Sequence, residues 1–323
     1  MPTRIANTLG LDAFADNYFE YDSAEALAAC LAAAPKPWLP VGGGSNLLFS
    51  KPSVEGSVFR CTDTSWEASE GAGYVRVRVG AGMRWDNFVQ LCVDNGWYGA
   101  ENLSLIPGDV GAAAVQNIGA YGAEAGNLVS SVEVYDTVEG QPRVFFPDEC
   151  EYAYRSSIFK KSSKRYFVLK VVFRLSLIPS FSLNYGNLAV GIEGEPTLQK
   201  VRDAVISTRR SKLPDPEVIG SAGSFFMNPV VSEETFAALQ ARYPDMPHYP
   251  APGGVKLSAG WLIDRSCCKE MTVGDAGVYE KHALILVNRG HATAADMLQL
   301  ATAITEKVES IFGIHLVPEV ETV

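Results

Sequence analysis

At 323 residues, with 47% hydrophobic and 20% charged residues, the chain has the composition of an ordinary globular protein of about two or three domains. Disordered, collagen-like and coiled-coil classes are excluded. Its 27 Lys and Arg against 37 Asp and Glu leave a net charge of -10, so no overall positive field draws it to nucleic acid or to anionic lipid, and an anionic substrate must find a local basic pocket. Residues 1–10 carry no uninterrupted apolar stretch after a basic start, unlike a secretory signal. Apolar runs such as 283–287 are far shorter than the ~20 residues that cross a bilayer. A cytoplasmic protein with no membrane segment is expected. Cys30, Cys61, Cys92, Cys150, Cys267 and Cys268 lack C-x-x-C spacing and read as reduced thiols. The four histidines lie far from any cysteine pair, so no metal site is expected.

From the N-terminus, the first convincing helix spans about residues 24–34, with Asp22 as N-cap, Glu25 at N3 and Pro35 as terminator. Residues 37–41 read as an extended segment that delivers the tight turn Gly42-Gly43-Gly44-Ser45-Asn46. In 74–79 Val alternates with Arg, which predicts a half-buried strand with Val inward, and 84–95 reads as a helix stopped by Gly96. Together these predict an α+β layer. Between 101 and 127 small residues dominate, with glycines at 108, 111, 119, 122 and 126 and alanines at 112–114. So little side chain suits a stretch that offers backbone N–H groups to a ligand rather than bulk to a core. Strands are predicted at 132–135 and 166–175, and the polar, proline-broken stretch 176–197 reads as a long loop carrying Tyr185. Leu213-Pro214-Asp215-Pro216 marks a domain boundary, because two prolines around an aspartate resist both helix and central strand. Beyond it come a helix over 233–243 capped by Ser232, a strand over 283–288 and a long helix over 294–312. Thr293 and Asp296 cap the last helix, Gly313 ends it, and Met297, Leu300, Ala301, Ile304, Val308 and Ile311 form its apolar face.

Several segments have residue types suited to chemistry. The turn 42–46 follows a strand and can wrap backbone donors around a phosphate, or it can be a plain tight turn; it has neither G-x-G-x-x-G spacing nor a P-loop lysine. The run from Ile106 to Gly122, with Gln116-Asn117 embedded among small residues, is far more specific. Tyr154-Arg155-Ser-Ser-Ile-Phe159 sets a guanidinium among aromatic and apolar neighbours, where it either meets a carboxylate or awaits a ligand. Arg209, Arg210 and Lys212 offer three cations that hold a diphosphate or line a solvated helix face. Ser224 lies beside Gly223 and two phenylalanines, outside any G-x-S-x-G nucleophile elbow.

Taken in order, these segments resemble the UDP-N-acetylenolpyruvoylglucosamine reductase family. The similarity runs from Asn7-Thr8 to Glu319-Val320 and includes the glycine turn, Ile106-Pro-Gly, 116–122, 154–159, 212–216, Ala222-Gly-Ser-Phe-Phe226 with Asn228-Pro229, and 259–264. The insertion holding Tyr185 resembles that of the type I subgroup. The resemblance implies an α+β fold with a p-cresol-methylhydroxylase-type FAD-binding domain of two α+β subdomains, residues 1–64 and 65–212. A C-terminal α+β substrate-binding domain would cover 213–323, its extreme C-terminus returning to the active site.

By the same resemblance, FAD is held without covalent attachment by Gly42, Gly43, Gly44, Ser45, Asn46, Pro107, Gly108, Gly111, Ala112, Gln116, Asn117, Ile118, Gly119 and Tyr121. NADPH is the co-substrate, and Arg155, Ser224 and Glu319 are catalytic. Tyr185, Arg209, Lys212, Asn228 and Lys256 contact a UDP-linked enolpyruvyl amino sugar in peptidoglycan synthesis, and a monomer is expected. Two features depart from the family pattern: Ala112-Ala113 replaces small hydroxyl residues, and the chain stops at Val323, short of the longer tail of relatives. An alcohol oxidase that tethers flavin through histidine is disfavoured because the flavin-binding half has no histidine. A decayed, non-catalytic flavin module is opposed by the retained Arg155, Ser224 and Glu319.

Overall fold

The computed structural model describes residues 1–184 and 188–323; Tyr185 lies outside the described residues. The chain divides into two compact units that are not simple halves. The first comprises Met1–Arg4, Phe14–Gly44 and Ser53–Ser211, the second Ile5–Ala13, Ser45–Pro52 and Lys212–Val323.

The first unit holds two sheets. In one, Phe14–Tyr21 and Trp38–Val41 both run parallel to the Ser53–Cys61 strand between them, and Thr3–Arg4 adds an antiparallel edge. Helix Ala24–Ala33 crosses over this sheet and buries Leu27 and Leu31. Its N-cap is Ser23, not Asp22: Ser23 is extended and its hydroxyl accepts from Ala26 N at 3.2 Å. The other sheet is antiparallel, ordered Gln141–Phe145, Val129–Asp136, Tyr166–Ser176, Tyr74–Gly80, Trp66–Gly71. Val75, Val77 and Val79 face inward as the alternation requires. They meet helix Trp85–Asp94, where Trp85, Phe88 and Phe173 stack as a buried aromatic cluster. Burying each such ring contributes about 1.5–3 kcal/mol over leaving it exposed.

The small-residue stretch does more than connect. Val110–Gln116 forms a helix, and Val110, Ala113 and Ala114 are buried in the same core. The expectation that 101–127 adds no bulk is therefore corrected: alanines let this helix lie close to the sheet. Helix Leu198–Lys212 is tied to helix Trp85–Asp94 by Arg202, which donates to both oxygens of Asp86 at 2.7 and 2.8 Å and to Gln90 at 2.7 Å. Asp86 also accepts from Leu105 N at 2.5 Å.

In the second unit, Gly220–Ser224, His282–Asn288, Ala276–Tyr279 and Thr272–Val273 form an antiparallel sheet. A smaller sheet joins Val230–Val231, Gly254–Leu257 and His248–Ala251. Helix Ala294–Phe312 has the expected Thr293/Asp296 capping box and a left-handed Gly313 at its end. Its buried face includes Met297, Leu300, Ala301, Ile304 and Val308, but Phe312 completes it and Ile311 is exposed, a correction of one residue in phase. Residues 5–13 join this unit through Thr8 O, which accepts from Ser221 N at 2.8 Å, and Leu9 O, which accepts from Asn288 Nδ2 at 3.0 Å. Among the described residues no helix is long and apolar enough to cross a membrane.

Burial alone raises the Asp86 carboxyl, but its hydrogen bonds from Arg202 and Leu105 prevail and hold it below the usual range. Its contribution to stability is thus present above the ordinary carboxylate pKa and is lost as pH falls through the lowered folded value. Asp86→Asn strands the nearly buried Arg202 charge and is expected to cost about 2–4 kcal/mol at pH 7. Urea melts should show the gap to wild type closing below about pH 4; an equal gap at both ends of the range would assign the loss to packing.

Candidate active site

Within the first unit the two glycine-rich segments lie against each other. A Cβ on Gly42 would sit 3.2 Å from Ala112 Cβ and 3.3 Å from Asp109 Oδ2; one on Gly43 would sit 3.2 Å from Gly108 Cα. Gly108 needs its positive φ of 113°, and Gly111 packs so closely on Ala81 that a Cβ would come within 2.8 Å of that side chain. Backbone hydrogen bonds from Val110 N to Met83 O and from Gly111 N to Ala81 O fix the segment at 2.8 and 2.9 Å. Asp109 is buried, and Oδ1 has no hydrogen-bond partner. Burial raises its carboxyl, an effect countered by Arg60 and Arg84 at 4.0 and 3.9 Å. Gln116 Nε2 is also buried without a partner.

Asn117 differs from its neighbours in use. It sits in the left-handed region, and its side chain donates to Glu124 and Ala153 O and accepts from Gly126 N, at 3.0, 2.9 and 2.8 Å. Its amide is thus spent on shaping the 117–126 loop, leaving backbone to face a ligand. Ile118 carries a backbone bond on each side, to Ala113 O and from Ala125 N. Tyr121 has a positive φ of 48°, and its carbonyl accepts from Asn102 at 2.9 Å. Gly119 O accepts from Arg155 Nη2 at 2.9 Å. Arg155 itself has φ 53°, lies 5.2 Å from the centre of the Tyr154 ring, and has its carbonyl held by Lys160 Nζ at 3.2 Å. This local strain aims the guanidinium at the loop. Arg209, on helix Leu198–Lys212, buries an unpartnered Nε; desolvation lowers its pKa, while Tyr121 and Asp86 oppose that.

In the second unit two predicted catalytic residues come together. The strand carrying Ser224 breaks register between Ser221 and Ser224, with Gly223 at φ 70°, so the serine leaves the regular alternation. Phe225 N then donates to Leu284 O, Glu319 N to Phe225 O, and Met227 N to Val317 O, at 2.8, 2.8 and 2.9 Å. Segments 225–227 and 317–319 therefore run side by side, with Ser224 and Glu319 at neighbouring positions. Asn46 Nδ2 holds Glu319 O at 3.1 Å, and Leu47–Leu48 pairs in parallel with Glu321–Thr322. Asn46, expected at the cofactor, spends its amide on the Glu319 carbonyl. Of the expected substrate contacts, Asn228 accepts from Ala259 N at 2.9 Å, Lys256 lies half-buried in the smaller sheet and Lys212 is exposed. Asp109, Arg60 and Arg84 carry no motif that sequence reading could single out; only the fold brings them to the glycine wall.

Comparison with known proteins decides the family. A model described as an FAD binding domain matches residues 15–143, and one described as the UDP-N-acetylenolpyruvoylglucosamine reductase C-terminal domain matches 215–323. The UDP-N-acetylenolpyruvoylglucosamine reductase of Bacteroides fragilis is 47% identical over 97% of this chain and 96% of its own length; that of Porphyromonas gingivalis is 50% identical over 87% and 85%. The chain belongs to the UDP-N-acetylenolpyruvoylglucosamine reductase family. The crystal structure of the Thermus caldophilus member superposes with a TM-score of 0.72 at 26% identity, covering 100% of this chain and 98% of that one.

The protein is therefore an FAD-containing oxidoreductase with an α+β fold and an FAD-binding domain. The residues of this reductase-family member fit the cofactor: a wall without side chains at Gly42, Gly43 and Gly108 allows close backbone approach, and buried polar atoms on Asp109 and Gln116 have no hydrogen-bond partner within the protein. Gly42→Val would fill that wall and is expected to weaken FAD affinity at least tenfold. The absorbance ratio of flavin to protein after dialysis measures this, with circular dichroism checking the fold; full flavin retention would remove the turn from the cofactor site.

Proposed function

We propose that the enzyme reduces UDP-N-acetyl-3-O-(1-carboxyvinyl)glucosamine to UDP-N-acetylmuramate for peptidoglycan synthesis, with NADPH as reductant. The observation that supports this reading is the pairing of 225–227 with 317–319, which brings the chain segments carrying Ser224 and Glu319 together. Residues 1–64 and 65–212 are read as the flavin-binding subdomains and 213–323 as the substrate-binding domain. Flavin held along the 42–46 turn and the 106–122 segment would supply hydride-transfer chemistry between NADPH and the vinyl group of the substrate.

The remaining chemistry falls to side chains. Hydride addition at C3 places negative charge on C2 and, through it, on the substrate carboxylate. Arg155 stabilises that charge as a cation, and Glu319 acts as a hydrogen-bonding or protonating group beside it. Ser224 delivers the proton to C2; a hydroxyl is a weak acid in water, but a developing carbanion is basic enough to take its proton at short range. The reaction is then balanced: one hydride to C3 and one proton to C2 saturate the double bond. Lys212, Asn228, Lys256, Arg209 and Tyr185 are assigned to the UDP portion, whose diphosphate needs cations in a protein of net charge -10.

Ser224→Ala separates the half-reactions. NADPH is expected to bleach the flavin at the wild-type rate, while reoxidation by the enolpyruvyl sugar nucleotide slows by about 10²–10⁴-fold. Anaerobic stopped-flow absorbance reads both steps, and wild-type reoxidation in this variant would remove Ser224 from proton delivery.

A further inference from the structure

The outward face of the five-stranded sheet is electrostatically uneven. At one end each cation has a carboxylate: Arg78 donates to Glu133 at 2.6 Å and to Glu67 at 3.1 Å, and Lys170 to Asp63 at 2.5 Å. At the other end Arg76 and Arg174 stand directly opposite each other on paired strands. Both are exposed, and among the described residues neither forms an ion pair. Both guanidinium groups lie against the same Tyr74 ring, 5.0 and 4.4 Å from its centre. Like charges placed opposite one another across a ladder destabilise it, and this acidic chain has carboxylates to spare for such a position, as the other end of the sheet shows.

A cleft of about 620 Å³ opens at the charged end, lined among others by Tyr74, Arg76, Arg174, Asn127 and Ser130. The side chains of Asn127 and Ser130 have no protein hydrogen bond among the described residues, so two neutral groups join two cations at one concavity. Gly73 lines it with bare backbone. Contact with the Tyr74 ring restrains both forks and limits the rotamer freedom lost when they bind an anion.

We propose that this cleft is a binding site for a phosphoryl group of a small molecule, held by Arg76 and Arg174 and hydrogen-bonded by Asn127 and Ser130. Two fixed guanidinium groups match the charge of a phosphate monoester dianion, and each can donate two parallel hydrogen bonds to its oxygens. The ligand neutralises the repulsion that the bare protein carries, so its binding and the stability of this sheet are linked.

The test uses inorganic phosphate with the FAD-loaded enzyme at constant ionic strength and pH 8, titrated by calorimetry, in wild type and in Arg76→Gln/Arg174→Gln. Wild type is expected to show a saturable site that the double variant weakens at least tenfold, with NADPH-driven flavin bleaching unchanged between them. Melting curves supply a second reading: without phosphate the variant melts no lower than wild type, and with phosphate only wild type gains. Identical titrations in the two proteins would overturn the proposal by placing phosphate elsewhere. Citrate that displaces phosphate with equal affinity would overturn the phosphoryl assignment.

Discussion

One edge of the second unit rests on a few backbone hydrogen bonds made by the last residues of the chain. Glu319 is held next to the segment that follows Ser224 because its N–H is bound by Phe225 O and its carbonyl by the Asn46 amide, while Glu321 N bonds to Asn46 O and Glu321–Thr322 pairs with Leu47–Leu48. These contacts fix the backbone of Glu319 at both its N–H and its carbonyl. A bound backbone is a sound anchor here, since an unpaired buried N–H or C=O costs as much as a lost hydrogen bond and resists rearrangement. Strand pairing of Glu321–Thr322 to Leu47–Leu48 continues this anchorage.

The same turn serves two constraints with adjacent residues. Gly42 and Gly43 have no side chain because Ala112, Asp109 and Gly108 stand close to where a Cβ would be; Asn46 has one, and its amide holds Glu319 O. Steric exclusion and hydrogen bonding thus divide the segment after Val41 into a part that faces the 108–112 wall and a part that organises Glu319. Alanine at 112 and 113 suits the packing as well: Ala113 is buried on helix Val110–Gln116, and the Ala112 Cβ stands 3.2 Å from where a Cβ on Gly42 would be.

Elements with a strong period were legible in the sequence. Helix 294–312 carries its capping box, its left-handed glycine and most of its buried face in plain view, and the Val/Arg alternation of 74–79 states which side is core. The errors lie where two signals compete. Ser23 and Asp22 are both good N-caps, and only the backbone turn selects Ser23. Ile311 and Phe312 are both apolar at the end of a helix, and the larger ring took the core. The small-residue run hid a helix because alanine and glycine give no amphipathic contrast. Residues 5–13 and 45–52 belong with the C-terminal unit through long-range backbone bonds that no local pattern records, and Asp109 with Arg60 and Arg84 is visible only once the strands have folded.

Charge supplies the last link. In a chain of net charge -10, a cation without a carboxylate is informative because anionic partners are plentiful. Arg202, Arg165, Arg78 and Lys170 each found one, and these pairs tie helices and strands together. Arg209 keeps its Nε buried without a hydrogen-bond partner beside Tyr121. Holding a guanidinium in such a place costs desolvation that a structural role does not require. The cost is offset when an anion arrives, whether the charge that develops on a substrate carboxylate or a phosphoryl group, so the cations that the fold declines to pair mark where it expects negative charge to be bound.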